Sequence, residues 1–474
     1  MYGGNGTLTG WRDPPNERGT FEILKICTLT VFLLCWSSVC TNLTSPRRGY
    51  WARFGTKLQL FLLAVLGPDF VLTLALGQCN AAYRSKQAFK RGNYEGWTLR
   101  HCFFINMGGV HLEFPDRQVA GESTFPVDCD QLLWLASRNY ICLPAISTDD
   151  VNDRNKADSL ARLIAVVQSL WFTADSLGRV GQGLAISTME LTTLSFVFLM
   201  TFCSAFWWRK PMDISRPLVI PVNVPLSTIL RESDAPEPLR GRTPLAWVNR
   251  EEWPISLAWT YFTQILWKMH VVPGQQLPAA QGDYFQSIDF PYIELRWEVV
   301  GGSLITLYSG IFMAAWNFTF PSRIEQILWR ISSIFTLAYG IIGEVVIAWF
   351  HHSSKVSNGW SKVRQWMSQS LACHDCPDHL AGISGDHSPG GKLSDTLHYL
   401  RHSFYRWTDH MRNISPDRDP ALAIPLRWNV WLLALSALYC FARLFILVED
   451  IIGLRALPPS SYQVVDYGPY SPIS

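Results

Sequence analysis

Six stretches of the chain, 23–41, 58–77, 185–206, 299–320, 327–350 and 428–448, are apolar and hold almost no Asp, Glu, Lys or Arg. Crossing a hydrocarbon layer of about 30 Å takes roughly 20 residues of helix, and each stretch meets that length. Backbone in lipid must satisfy its own polar groups, which leaves the helix as the available form for such runs. The chain therefore reads as an all-α integral membrane protein, a polytopic bundle of about seven transmembrane helices with long polar loops. The seventh helix is expected at 160–177, where Gln168, Asp175 and Arg179 fall on one side and Ile164, Val167, Leu170 and Trp171 elsewhere. That division suits a helix turning its polar side into a bundle.

Composition agrees. Only 16% of the 474 residues are charged against 48% apolar, well under the roughly 25% charge of soluble domains. The balance of 40 basic and 38 acidic side chains gives no basic excess for a phosphate backbone, so no nucleic-acid partner is expected. The partners expected are the bilayer and an apolar small molecule.

The spans divide the chain into a polar tail at 1–22, helices one to four over 23–206 with a long loop at 78–159, and a proline-rich loop at 207–298. Helices five and six follow over 299–350, then a loop at 351–427, helix seven at 428–448 and a tail at 449–474. The N-terminal tail lacks a cationic region and cleavage site, so the first apolar segment reads as a retained helix. An aromatic, amphipathic stretch at 255–269 suits an interfacial helix. Prolines 211, 217, 221, 225, 236 and 238 favour extended backbone and argue against a buried core in that loop. Lys and Arg are balanced across the loops and leave the orientation open. Asn5 and Asn413 open N-x-S/T sequons.

Charges inside spans are expensive and so draw attention. Asp69 follows Gly67-Pro68, where a kink frees backbone groups; it serves chemistry, or it accepts from those amides or pairs with an arginine. Glu344 follows Tyr339-Gly340 and Gly343, small residues that admit a neighbouring helix, and it too has a chemical and a structural reading. Glu190 completes the capping pattern Ser187-x-x-Glu190. Asp175 and Arg179 stand at i,i+4. Arg443 is a counter-ion for Asp69 or Glu344, or snorkels. Trp171, Trp316 and Tyr339 lie within spans, where ring faces attract cations or pack apolar chains.

Two further patterns are weaker. Asp149-Asp150-x-x-Asp153 has the spacing of magnesium-binding carboxylates, and equally of an acidic helix start. Cys373-x2-Cys376-x2-His379 is half of a zinc site. Neither justifies assigning a metal, and no cofactor is expected.

WTLRHCFFINMGG at 97–109, DRNKADSLARLIAVVQSLWF at 153–172, ISTMELTTLSF at 186–196 and FWWRKPMDISRP at 206–217 resemble a large family of fungal polytopic membrane proteins. That family is similar to the membrane-bound terpene cyclases of meroterpenoid pathways, the ascochlorin and ascofuranone type. The resemblance implies an endoplasmic-reticulum enzyme that cyclises a prenyl chain carried on an aromatic or polyketide head. Such a reaction needs an acid to protonate an epoxide or olefin, a dry aromatic cavity and a terminal base. On this reading Glu344 or Asp69 is the acid, His101 the base, and Trp171, Trp316 and Tyr339 line the substrate. The chain departs from the pattern at Cys102, Ile105-Asn106 and Asp69, where relatives tend to carry Gly, Ala-Asp and Glu; Asn106 cannot carry a proton. The contrasting class is a transporter or sensor with an intramembrane charge network.

Overall fold

The computed structural model describes residues 8–13, 18–44, 49–94, 96–116, 124–143, 151, 159–212, 214, 216–235, 243–248, 256, 285–356 and 426–466. Asn5, Asn413, the interfacial stretch from 257, the zinc half-site and four of the five residues of the Asp149–Asp153 motif lie outside them.

Helix dominates the described residues. In chain order come α1 (Thr20–Ser38), α2 (Tyr50–Leu66), α3 (Pro68–Arg91), α4 (Leu99–Phe104) with a π-turn at Ile105–Gly109, α5 (Cys129–Ser137), α6 (Ser159–Gly181), α7 (Thr188–Phe206), α8 (Leu226–Glu232), α9 (Leu295–Ile311) continued as 3-10 helix to Asn317, α10 (Arg323–Val356) and α11 (Leu426–Ile452). Three short strands, β1 (Val110–Glu113), β2 (Thr124–Pro126) and β3 (Leu218–Pro221), pair in the order β2-β1-β3. α1 packs on α6 and α7, α3 on α7, and α10 on both α9 and α11.

Among the described residues, four helices are long and apolar enough to cross a membrane: Thr20–Ser38, Thr188–Phe206, Leu295–Asn317 and Arg323–Ala348. The stretch expected as one span at 58–77 is instead divided between α2 and α3, which are bent by 119° and together make a fifth candidate. The reason is local. Gly67 leaves helical geometry at φ −144°, ψ 75°, and Pro68 opens α3 at its first position, where its missing N–H costs nothing. Asp69 is thus in the first turn of a helix, not mid-span. The segments expected at 160–177 and 428–448 are helical as α6 and α11.

The outer helices are built apolar side out. α6 turns Ala165, Ser169, Phe172, Ser176 and Arg179 inward and leaves Leu163, Val167, Leu170, Trp171 and Leu177 exposed. Its sequence division of polar from apolar residues is therefore the division seen. α10 buries Ser332, Ser333 and Thr336 while nine of its Ile, Leu and Val side chains from Ile324 to Val346 are exposed. Leaving each of these in water forfeits about 1.5–3 kcal/mol of burial free energy, so the outer surface suits an apolar surrounding.

The connections at 78–159 and 207–298, expected as loops, carry folded structure. β1 pairs antiparallel with β2 and parallel with β3, from Val110↔Leu218 to Glu113↔Pro221. Pro217 precedes the outer strand and Pro221 is its last residue, where extended backbone is what the sheet requires. Phe114 stacks on Phe125 at 5.4 Å, and Leu132, Leu135, Val222, Ile229 and Leu245 are buried around them. Here the ordinary arrangement holds, with apolar residues inside. The Met107-Gly108-Gly109 signature has a steric cause: Gly108 sits at φ +86°, and a Cβ on Gly109 would collide with Phe104.

Candidate functional site

The break between α2 and α3 exposes two helix ends of opposite polarity, and each receives a matching charge. Asp69 occupies the positive first turn of α3, and Arg443 Nε donates to the carbonyl of Leu66, the last residue of α2, at 3.2 Å. Tyr439 lies one turn before Arg443 on α11 and donates its hydroxyl to Asp69 Oδ1 at 2.5 Å. Its ring meets Tyr339 at 4.9 Å and Phe70 at 5.4 Å. The guanidinium of Arg443 lies among the rings of Phe312, Tyr308 and Phe196 at 5.1, 5.4 and 5.8 Å. Arg443 is fully buried, so it does not snorkel.

Three residues singled out by sequence, Asp69, Tyr339 and Arg443, therefore meet here. The pairing of Tyr439 with Asp69 was not read from sequence; its only signal is the i,i+4 spacing to Arg443 on one helix face.

The other candidates lie elsewhere. Glu344 is half-buried on α10 with its carboxyl against Gly302 and facing Glu298 on α9. His101 is buried beside Trp97, which stacks on Phe89 of α3. Phe89 is 20 residues beyond Asp69, roughly 30 Å along the helix, so His101 and Asp69 cannot serve one cation. Locally, His101 Nδ1 accepts from the Thr98 amide at 3.1 Å while Thr98 Oγ1 accepts from the His101 amide at 3.4 Å. This reciprocal pair caps α4. Trp171 is 54% exposed on the outer side of α6. Trp316 lies under Arg330, 4.9 Å from the ring, and its carbonyl accepts from the same guanidinium.

Glu190 closes the capping box of α7: its carboxylate accepts from the Ser187 amide at 2.9 Å and hydroxyl at 2.8 Å. Arg18 pairs with it directly, and Arg179 Nε stands 3.8 Å away. Arg179 also donates to the carbonyls of Ala185, Ser460, Ser461 and Gln463 at 2.8–3.2 Å. Asp175 adds its charge near Arg18. This network ties 460–463 to α6, and α6 to the start of α7 and to Arg18 just before α1.

A second site was missed in the sequence. Lys210, at the end of the FWWRKP segment, is buried and donates to Gln78 Oε1, Asn42 Oδ1 and Cys40 O at 2.7, 2.8 and 2.9 Å. Burial pulls its ammonium down to about 8. It lines a cavity of about 250 Å³ whose walls include Gln78, Arg84 and Ser85 from one face of α3, Asn106 from the π-turn, and Phe290 and Tyr292. Asn106 accepts from the Cys129 amide at 3.0 Å and donates to Ser85 Oγ at 3.4 Å. An amide does both, which gives Asn106 a structural task in tying α5 to α3. A neighbouring cavity of about 260 Å³, lined by Trp36, Tyr50, Phe54 and Lys57, shares Asn42 and Met107 with the first. π-turns recur at functional sites.

Residues 4–229 match a family of unknown function, DUF8562. The matched stretch contains the helix break, the sheet and Lys210, and ends before Tyr339, Glu344, Tyr439 and Arg443. No curated protein and no solved structure matches the chain.

Proposed function

We infer that the chain is a polytopic protein of the endoplasmic reticulum membrane that cyclises a prenyl chain, as the family resemblance implies, with Asp69 as the acid. The bilayer reading rests on the apolar outer faces of α6 and α10 with their polar residues turned inward. Up to seven spans follow if α6, α11 and the bent pair α2–α3 each count as one.

The observation that carries the chemistry is the Asp69–Tyr439 pair at the helix break, flanked by the rings of Phe70 and Tyr339. Tyr439 donates to Oδ1, which leaves Oδ2 to carry a proton. In its acid form Asp69 donates that proton to a terminal epoxide oxygen. The C–O bond opens, the cation is attacked by the chain's own double bonds, and loss of a proton ends the cascade with mass unchanged. Ring faces favour the cationic intermediates. Glu344 lies apart from the Asp69–Tyr439 pair and its rings, beside Glu298 of α9, so the reading gives the protonation to Asp69 alone. His101 is too far away to be the terminal base.

The test uses yeast microsomes containing the full chain and a terminally epoxidised prenyl-aryl substrate. A cyclic isomer of unchanged mass is expected with wild type and Glu344→Gln, and none with Asp69→Asn at equal protein level. Conversion by Asp69→Asn at the wild-type rate overturns the assignment. One feature favours a second reading. Discontinuous helices whose ends carry opposite charges are the ion sites of many transporters. Absence of conversion by wild type across several head groups, with substrate-dependent flux in proteoliposomes, would select it.

A further inference from the structure

Burying an ammonium without a counter-charge is costly, and Lys210 is in that position. It is 3% exposed, and each of its three bonds runs to a neutral acceptor. Among the described residues no carboxylate pairs with it. Three acids stand on the cavity wall, and none offsets it closely. Asp128 accepts from the Asp130 and Gln131 amides at the start of α5, while Asp130 and Asp289 are exposed at the rim. Arg84 brings a second cation to the wall, over the ring of Tyr292 at 5.2 Å. Through Asn42 and Met107 this polar cavity adjoins the one lined by Trp36, Tyr50 and Phe54, where Arg53 and Lys57 are the charged residues.

We propose that the two cavities form one binding site for an anionic amphiphile, its carboxylate-type head beside Lys210 and its apolar chain against Trp36 and Phe54. The head supplies the missing counter-charge, and the aromatic cavity covers the chain. The inference goes beyond the cyclisation reading because it concerns binding alone and stands or falls without turnover.

The full chain in phosphatidylcholine nanodiscs is titrated with a farnesylated hydroxybenzoate and with its methyl ester, each corrected for partitioning into protein-free discs. The ester keeps ring and chain and removes only the charge. The acid is expected to bind at least tenfold more tightly than the ester. Lys210→Gln is expected to abolish that preference, and Lys210→Arg, which keeps the cation, to retain it and report correct folding. Equal binding of acid and ester by wild type overturns the proposal, as does an undiminished preference in Lys210→Gln. If Lys210→Gln does not fold, the acid-to-ester ratio of wild type and Lys210→Arg decides. Discs containing phosphatidic acid separate the sources of the head. Displacement of the farnesylated acid supports an anionic site filled by lipid, and no displacement supports one filled by a free metabolite.

Discussion

Arg179 and Arg443 are buried to the same extent, 1% and 0% exposed, and are held in opposite ways. Arg179 reaches four backbone carbonyls and a carboxylate. Arg443 has one carbonyl, at Leu66, and three aromatic rings; its two terminal nitrogens meet no hydrogen-bond acceptor among the described residues. Burial alone therefore says little about what a charge is for. Several carbonyls and a carboxylate mark a clamp, and a guanidinium held mainly by ring faces marks a position that can answer to something else.

The largest effect should come from the clamp. Arg179→Gln leaves Glu190 with less countercharge and several carbonyls without a donor, so a loss of about 3–5 kcal/mol is expected. Arg443→Gln gives up ring contacts and one bond but also removes a buried charge with few partners, so about 1–2 kcal/mol is expected. Thermal unfolding in detergent measures both. Equal losses break the comparison.

Lys210 stands between the two arginines, with its bonds satisfied and its charge not. Its folded value is about 8 against an ordinary 10.5. Between those values the unfolded chain binds the proton and the folded chain does not, so stability rises with pH across the window. Below about 8 both states are charged and the full cost of burial is present. That cost is up to about 3 kcal/mol. Buried thiols such as Cys129, held above their ordinary value by burial, lower the stability of both chains above about pH 9, so the measure is the stability of wild type minus that of Lys210→Met, which should rise from pH 7 to 10.5. A difference that stays flat or falls over that range would mean that a counter-charge already compensates the lysine.

How far these sites could be read in advance follows from how local their causes are. The capping box at Ser187 and Glu190, the polar side of α6 and the disturbance at Gly67-Pro68 each depend on neighbours within a few residues. All three were legible. The 119° turn was not, because a hydropathy window averages across Gly67 and sees one apolar run. Lys210 was invisible as a site because its acceptors Cys40, Asn42 and Gln78 lie 170, 168 and 132 residues away. The prolines of 217–225 misled for a different reason. Extended backbone was the correct inference from them, but the extended segment pairs with β1 and so joins a core. Trp171 was assigned to the substrate through the family resemblance, although the division of α6 already put it on the apolar side, which faces outward.

The bond between Tyr439 and Asp69 sharpens the contrast further. Tyr439→Phe removes a donor to a buried carboxyl, for which about 1.5–3 kcal/mol is the usual scale when the acceptor is ionised and about 1 kcal/mol when it is neutral. A loss near the lower figure, with cyclisation slowed, fits an Asp69 that holds a proton. A loss near the upper figure with unchanged turnover fits a structural carboxylate.

The smallest effects distinguish the acids. Glu190 is saturated by Arg18 and by Ser187, whereas Glu344 rests its carboxyl on Gly302, where an added Cβ would displace it. Gly302→Ala is expected to cost about 1 kcal/mol, because a half-buried side chain can swing aside and the helical alanine recovers part of the loss. Gly343 was expected to admit a neighbouring helix, but a Cβ there meets nothing within 4 Å, while one at Gly340 approaches Ile305 at 3.2 Å. Close approach of α10 to α9 thus belongs to Gly340 and Gly302. Gly343→Ala should leave the protein unchanged or stabilise it by about 0.5–1 kcal/mol. If Gly302→Ala costs several kcal/mol in the same unfolding assay, Glu344 is held as firmly as Glu190 and belongs with the clamps.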